Sequence, residues 1–181
     1  MKRPARPNRR YVSLALPRLS TDRLARERWG LSWIADGRPD APPLVVTDLV
    51  QNAQRLVAVE PFAEMRGLAQ GQTLTDARAL CPDLDAVSAK VEADRAFLHA
   101  IAVWCDRYTP MVALSEDAPG PLGLMLDITG CAHLMGGEAA LLDDLEARLR
   151  TQGVHAATGC ADTQGAAWAL ARHAPPCRVA S

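Results

Sequence analysis

The sequence predicts an α+β fold: a ferredoxin-like, split-βαβ sheet with a small subdomain inserted after its first strand. Three observations predict it. The short apolar run Tyr11–Leu16, stopped by Pro17, stands alone near the start as a buried strand. From residue 92 onward, two amphipathic helical stretches alternate with three strand-like runs. Joined to Tyr11–Leu16, they give the order strand, helix, strand, strand, helix, strand. Residues 18–82 between these parts have helices, strands and breakers of their own and read as an insertion.

Each element has a local reason. Residues 1–8 are rich in Pro and Arg and are expected to be disordered. Ser20, Thr21 and Asp22 offer caps for a helix that contains Leu24, Glu27 and Trp29. Residues 35–43, ADGRPDAPP, form a breaker segment. Leu44–Thr47 and Arg55–Val59 then read as two strands of a hairpin. Pro61 suits the first turn of a short helix ended by Gly67, and Thr73 opens a second that covers Ala77–Leu80 before Cys81-Pro82. In Glu92–Tyr108, spacing puts Ala93, Phe97, Ala100, Ile101 and Trp104 on one face. Met111–Leu114 and Leu122–Ile128 read as strands around the turn SEDAPGP. Glu138–Arg150 is a helix with Leu141, Leu142, Leu145 and Leu149 inward. Val154–Cys160 is the last strand, and Gln164–Arg172 an Ala-rich helix stopped by Pro175-Pro176.

Composition limits the function classes. At 49% hydrophobic and 23% charged residues, the chain has the make-up of a soluble domain with a core. No apolar run approaches the roughly 20 residues that cross a bilayer, and no hydrophobic segment follows the basic start to make a secretion signal. The cysteines, Cys81, Cys105, Cys131, Cys160 and Cys177, are odd in number and scattered. That argues against a disulfide framework or zinc site and for a reducing cytoplasm. The net charge of -1 hides an asymmetry: residues 1–30 hold nine Lys/Arg against two Asp/Glu, and the remainder is acidic. A protein gripping DNA along its whole body spreads positive charge over that body, so only weak DNA contact is expected.

Carboxylates are the residues to weigh for metal-assisted phosphoryl transfer. Glu116-Asp117 sits in a turn, Asp143-Asp144 on the polar face of a helix, and Asp83 and Asp85 flank Leu84 after a Pro. Asp127, at the end of an apolar strand, is the better candidate, yet before Thr129-Gly130 it also suits a turn. Cys131 and His133 lack a third ligand, and His99, His155 and His173 stand alone. No Ser or Cys has a nucleophile's setting, and GLAQGQT lacks the GK[ST] of a phosphate loop. The residues alone give no catalytic constellation, no metal and no cofactor.

Five strings, in order, resemble landmarks of the Y-family DNA polymerases, the lesion-bypass group, and the resemblance spans residues 8–176. They are Arg66-Gly67-Leu68, Leu80-Cys81-Pro82, Arg107-Tyr108-Thr109-Pro110, Leu126-Asp127-Ile128-Thr129-Gly130 and Ala157-Thr158-Gly159-Cys160-Ala161. The resemblance implies a palm of residues 9–17 and 83–181 with fingers at 18–82. It also implies where active members keep their site. The metal-binding Asp positions of the first strand fall on Ala15 and Pro17, and the aromatic steric gate near Leu19 or Ser20. The Asp-Glu pair before LDVT falls on Leu122 and Gly123. The triphosphate-holding Tyr and Arg fall on Pro61 and Glu64, and the palm Lys on Gln164. At the metal positions, Ala15, Pro17, Leu122 and Gly123, no side chain ligates a hard cation, and at a triphosphate position Glu64 would repel the phosphates.

That combination is similar to the ImuB family, inactive Y-family homologues of a damage-induced mutagenesis cassette. It implies a bacterial, cytoplasmic scaffold, nucleoid-associated during the damage response. Such a scaffold links a sliding clamp, an error-prone replicative-type polymerase and a RecA-like accessory protein. The alternative is an active polymerase with relocated ligands, Asp117 and Asp127 with help from Glu116. In that family the clamp-binding peptide lies beyond the palm, so the chain is expected to be a piece of a longer protein.

Overall fold

The computed structural model describes residues 9–115, 122–173 and 178–180. The expected disordered tail and the Glu116-Asp117 candidate lie outside them. The chain divides into two compact units, one of residues 1–17, 98–149 and 155–181, the other of 18–97 and 150–154.

The first unit is built on a four-stranded sheet. Its strands are β1 (Tyr11–Ala15), β5 (Val112–Leu114), β6 (Gly123–Asp127) and β7 (Ala157–Ala161), in the order β5-β6-β1-β7. Every neighbouring pair is antiparallel, which is the split-βαβ arrangement predicted. All five residues of β1 are buried, so this central strand reads as a continuous run rather than an alternation. Helix α6 (Glu138–Thr151) buries Leu141, Leu142, Leu145 and Leu149 as its spacing predicts. Helix α7 (Gln164–His173) packs on β1 and β7, where Ala167 joins Tyr11 and Ala161 in a small apolar cluster. The free edge of β7 is paired in turn by residues 178–180: Cys160 N–H donates to the Arg178 carbonyl at 2.6 Å, and Ala180 N–H to the Cys160 carbonyl at 2.9 Å.

The second unit holds a three-stranded sheet, β3-β2-β4. Strands β2 (Leu44–Val50) and β3 (Ala53–Val59) form the predicted hairpin, longer by three residues on β2 and two on β3. Gln51 and Asn52 turn it with φ of 50° and 61°, the left-handed pair that matches the twist of the strands. Helices α1 (Leu19–Trp29), α2 (Trp33–Asp36), α3 (Pro61–Met65) and α4 (Leu74–Leu80) complete the unit. Val45, Leu56, Val59, Ala63, Ala77 and Leu84 share one core cluster. Thr73 caps α4, its hydroxyl oxygen accepting from Asp76 N–H at 3.1 Å.

Three local readings change. Ser20, Thr21 and Asp22 are not caps: α1 begins at Leu19, and Thr21 and Asp22 are buried in its first turn. The Thr21 hydroxyl bonds back to the Arg18 carbonyl at 3.1 Å. A strand not anticipated, β4 (Asp85–Ser88), runs parallel to β2, and Asp85 pairs with Arg28. Residues 83–97, grouped by sequence with the first strand's domain, therefore fall in the second unit. In helix α5 (Val91–Trp104), Ala100 is exposed, whereas Asp94, Leu98 and Ile101 are buried. The inward stripe is displaced because Asp94 has a buried partner, described below.

Candidate functional site

Two strand ends in the first unit bring three of the predicted positions together. The antiparallel register places Ala15 directly opposite Gly123, and Leu16 N–H donates to the Leu122 carbonyl at 3.0 Å. Ala15 and Gly123 are buried, and Pro17 just beyond them is exposed. A Cβ at Gly123 would collide with the Leu14 carbonyl oxygen, so β1 and β6 approach here as only glycine allows.

A cation occupies this end of the sheet. Arg172, in the last turn of α7, donates from Nη1 to the Ser13 hydroxyl at 3.2 Å. Its Nη2 lies 3.3 Å from the point where a Cβ of residue 123 would stand. The guanidinium stacks on Trp168, with Cζ 4.7 Å from the ring centre. Burial pulls the Arg172 pKa below the ordinary arginine value. The Y-family resemblance implies divalent metal here, and the residues present do not fit one. Ala15, Leu122 and Gly123 supply no side-chain oxygen, Ser13 supplies a neutral one, and a guanidinium stands beside them. The sequence signal for Arg172 was slight: an Arg four residues after Trp168 in an otherwise Ala-rich helix.

The remaining predicted positions each have a setting of their own. Gln164 opens α7 and lies by Tyr11, at the other end of β1 from Ala15. There it lines a cavity of about 340 Å³ with Arg9, Tyr11, Met111, Met125 and Asp127. Pro61 and Glu64 are in the second unit, on the five-residue helix α3, and Glu64 is paired with Arg18. The charge reversal at Glu64 is thus answered within the unit. Of the two steric-gate positions, Leu19 is buried, and Ser20 donates to Asp94 at 2.7 Å.

The acidic candidates have structural partners. Asp127 accepts from Thr129 N–H at 3.0 Å, the turn role its sequence suggested. Asp144 accepts from the Tyr108 hydroxyl at 2.7 Å and from Arg148 at 2.8 Å, and these bonds hold its carboxyl below the usual range. Asp143 pairs with Arg178, and Asp83 accepts from the Cys81 thiol at 3.1 Å. Among the described residues, no group of three or more His, Cys, Asp or Glu could hold a metal ion. The string RYTP has a visible purpose: the Thr109 hydroxyl donates to the Asp127 carbonyl at 2.7 Å and accepts from Met111 N–H at 3.2 Å. It fastens the turn before β5 to the end of β6.

Residues 36–172 match the family model described as impB/mucB/samB. Over 114 residues the chain is 52% identical to Protein ImuB of Caulobacter vibrioides, in strains NA1000 / CB15N and ATCC 19089. The match takes in 63% of this chain and 24% of that protein, so the chain spans about a quarter of these relatives. Among solved structures, a post-insertion binary complex of Dbh DNA polymerase superposes with a TM-score of 0.71 at 14% identity, over 95% of this chain and 48% of that one. DinB from Sulfolobus solfataricus superposes with a TM-score of 0.65 at 14% identity, over 94% and 47%.

Proposed function

The chain belongs to the impB/mucB/samB family and has the Y-family polymerase fold, and on that premise we propose that it is the non-catalytic polymerase-like part of a mutagenesis scaffold. The whole protein acts in damage-induced translesion synthesis in the bacterial cytoplasm, at the nucleoid during the damage response. It links a sliding clamp, an error-prone replicative-type polymerase and a RecA-like accessory protein, and touches DNA weakly. The identity to Protein ImuB supports the assignment to this branch. One observation carries the non-catalytic reading: at the Ala15–Gly123 strand pair, side chains without oxygen meet a guanidinium. A two-metal phosphoryl transfer needs carboxylates on neighbouring strands, and repulsion from Arg172 opposes any cation placed there.

Primer extension by the full-length protein with magnesium or manganese tests this reading. No templated incorporation is expected. Incorporation that Asp127→Ala abolishes would establish the active-polymerase alternative. Pull-downs of the clamp and the error-prone polymerase by the full-length protein test the scaffold role, and failure to retain either overturns it.

A further inference from the structure

We propose that Arg172 is a resident cation that has taken the place of the divalent metal at the β1–β6 end, so that this site is closed by occupancy as well as by lost ligands. The inference rests on the non-catalytic reading above and deepens it. Three observations carry it. The guanidinium bonds to the Ser13 hydroxyl of β1 and stacks on the Trp168 ring of its own helix, and its Nη2 lies 3.3 Å from where a Cβ of Gly123 on β6 would stand. Gly123 has two consequences at once: it lets the strands approach, and it leaves the volume beside Nη2 free of a side chain.

Ala15 lies on the same face of β1 as Ser13, two residues on, and directly across from Gly123. Side chains that face each other across a strand pair have Cβ atoms about 4.5–5.5 Å apart, so a carboxylate at position 15 falls within reach of Arg172. Restoring that carboxylate therefore makes an internal ion pair instead of a metal site. The positive charge that neutralises it is already in place, and a divalent ion has to displace a packed, stacked guanidinium to enter. Reinstating a side chain at position 123 is a poorer route, since its Cβ collides with the backbone of β1.

The test compares the wild-type chain with Ala15→Asp, Arg172→Gln, Ala15→Asp/Arg172→Gln and Ala15→Asp/Arg172→Lys. Manganese binding is read by electron paramagnetic resonance, and the introduced carboxyl is titrated by NMR. Ala15→Asp is expected to bind manganese no better than wild type, and its new carboxyl to titrate low. Removing the charge with Arg172→Gln is expected to raise that titration and tighten manganese binding at least tenfold, whereas the Lys variant retains the exclusion. The proposal fails if Ala15→Asp alone binds manganese as tightly as the Gln double variant. It fails equally if the titration of the new carboxyl is indifferent to Arg172. Where no variant binds manganese, the titration decides. Should Arg172→Gln prevent folding, the Lys variant decides: tight manganese binding there overturns the proposal, and continued exclusion with a low titration supports it. Failure of the non-catalytic reading has a different signature, metal-dependent incorporation by the full-length protein with Arg172 intact.

Discussion

Arg23 and Asp94, 71 residues apart, form a buried ion pair with Nε 2.7 Å from Oδ1. Only 7% of Arg23 and 6% of Asp94 remain exposed. The Ser20 hydroxyl and Glu27 complete the arrangement, the first donating to Asp94 and the second accepting from Arg23. Helix α1 is thereby fastened to the start of α5 by charge. Removing one member leaves the other charge buried, which costs more than the pair itself contributes. Asp94→Ala is expected to destabilise the chain by about 3–5 kcal/mol in urea unfolding. Glu27→Ala, which removes the exposed partner of the same arginine, is expected to cost less than about 1 kcal/mol.

A second charged junction makes stability depend on acid. Arg10 grips Glu138 with two bonds of 2.6 Å and also holds Asp162. The bond from Arg10 keeps the Glu138 carboxyl below its ordinary range. A depressed folded-state pKa contributes stability that is complete above the unfolded value, roughly 4.3, and is lost as pH falls through the lower folded value. Glu138→Gln is expected to cost about 1–3 kcal/mol at neutral pH. Below about pH 4 the difference from wild type should narrow. Urea midpoints across that range check it, and a difference independent of pH would contradict it.

These junctions mark the boundary of what the sequence discloses. Leu141, Leu142, Leu145 and Leu149 announce themselves by spacing, and the hairpin by its two strand runs, Leu44–Thr47 and Arg55–Val59. Periodicity takes charged residues to face water, so the stripe it draws on α5 includes Ala100 and passes over Asp94. Strand β4 is four residues long and pairs parallel with a strand about 40 residues earlier, leaving no local pattern to detect. Resemblance marks Ala15 and Gly123 as site positions, whereas their direct opposition is a matter of register. Arg172 reaches Ser13 across 159 residues, and no window along the chain contains both.

The basic N-terminal segment offers less to DNA than its charge count suggests. Of the nine Lys/Arg in residues 1–30, Arg10, Arg18, Arg23 and Arg28 each hold a carboxylate of the protein itself. Arg26 donates to the Gln152 carbonyl and lies over Phe97. Phosphate contacts from arginines already paired release few counterions. Binding of this chain to a DNA duplex is expected to be weak at about 50 mM salt and lost by about 200 mM. Fluorescence anisotropy checks this, and tight binding that persists at the higher salt contradicts it.

The string ATGCA contains a glycine whose reason is contact rather than backbone freedom. Gly159 sits in β7 beneath α7, and its φ is not in the left-handed region. A Cβ there would stand 2.5 Å from both the Ala167 carbonyl oxygen and the Ala171 nitrogen, and 2.6 Å from the Leu170 Cβ. Two of these neighbours are helix backbone, which cannot swing aside as a side chain end can, so α7 itself must lift. Overpacking of this kind costs about 1–3 kcal/mol, and Gly159→Ala is expected to fall in that range by urea unfolding. Because α7 carries Arg172, the lift also moves the guanidinium away from Ser13 and Gly123. Hydrogen exchange of the α7 amides in Gly159→Ala should therefore quicken towards Arg172. Unchanged stability and exchange would mean that α7 is not seated on β7 through this glycine.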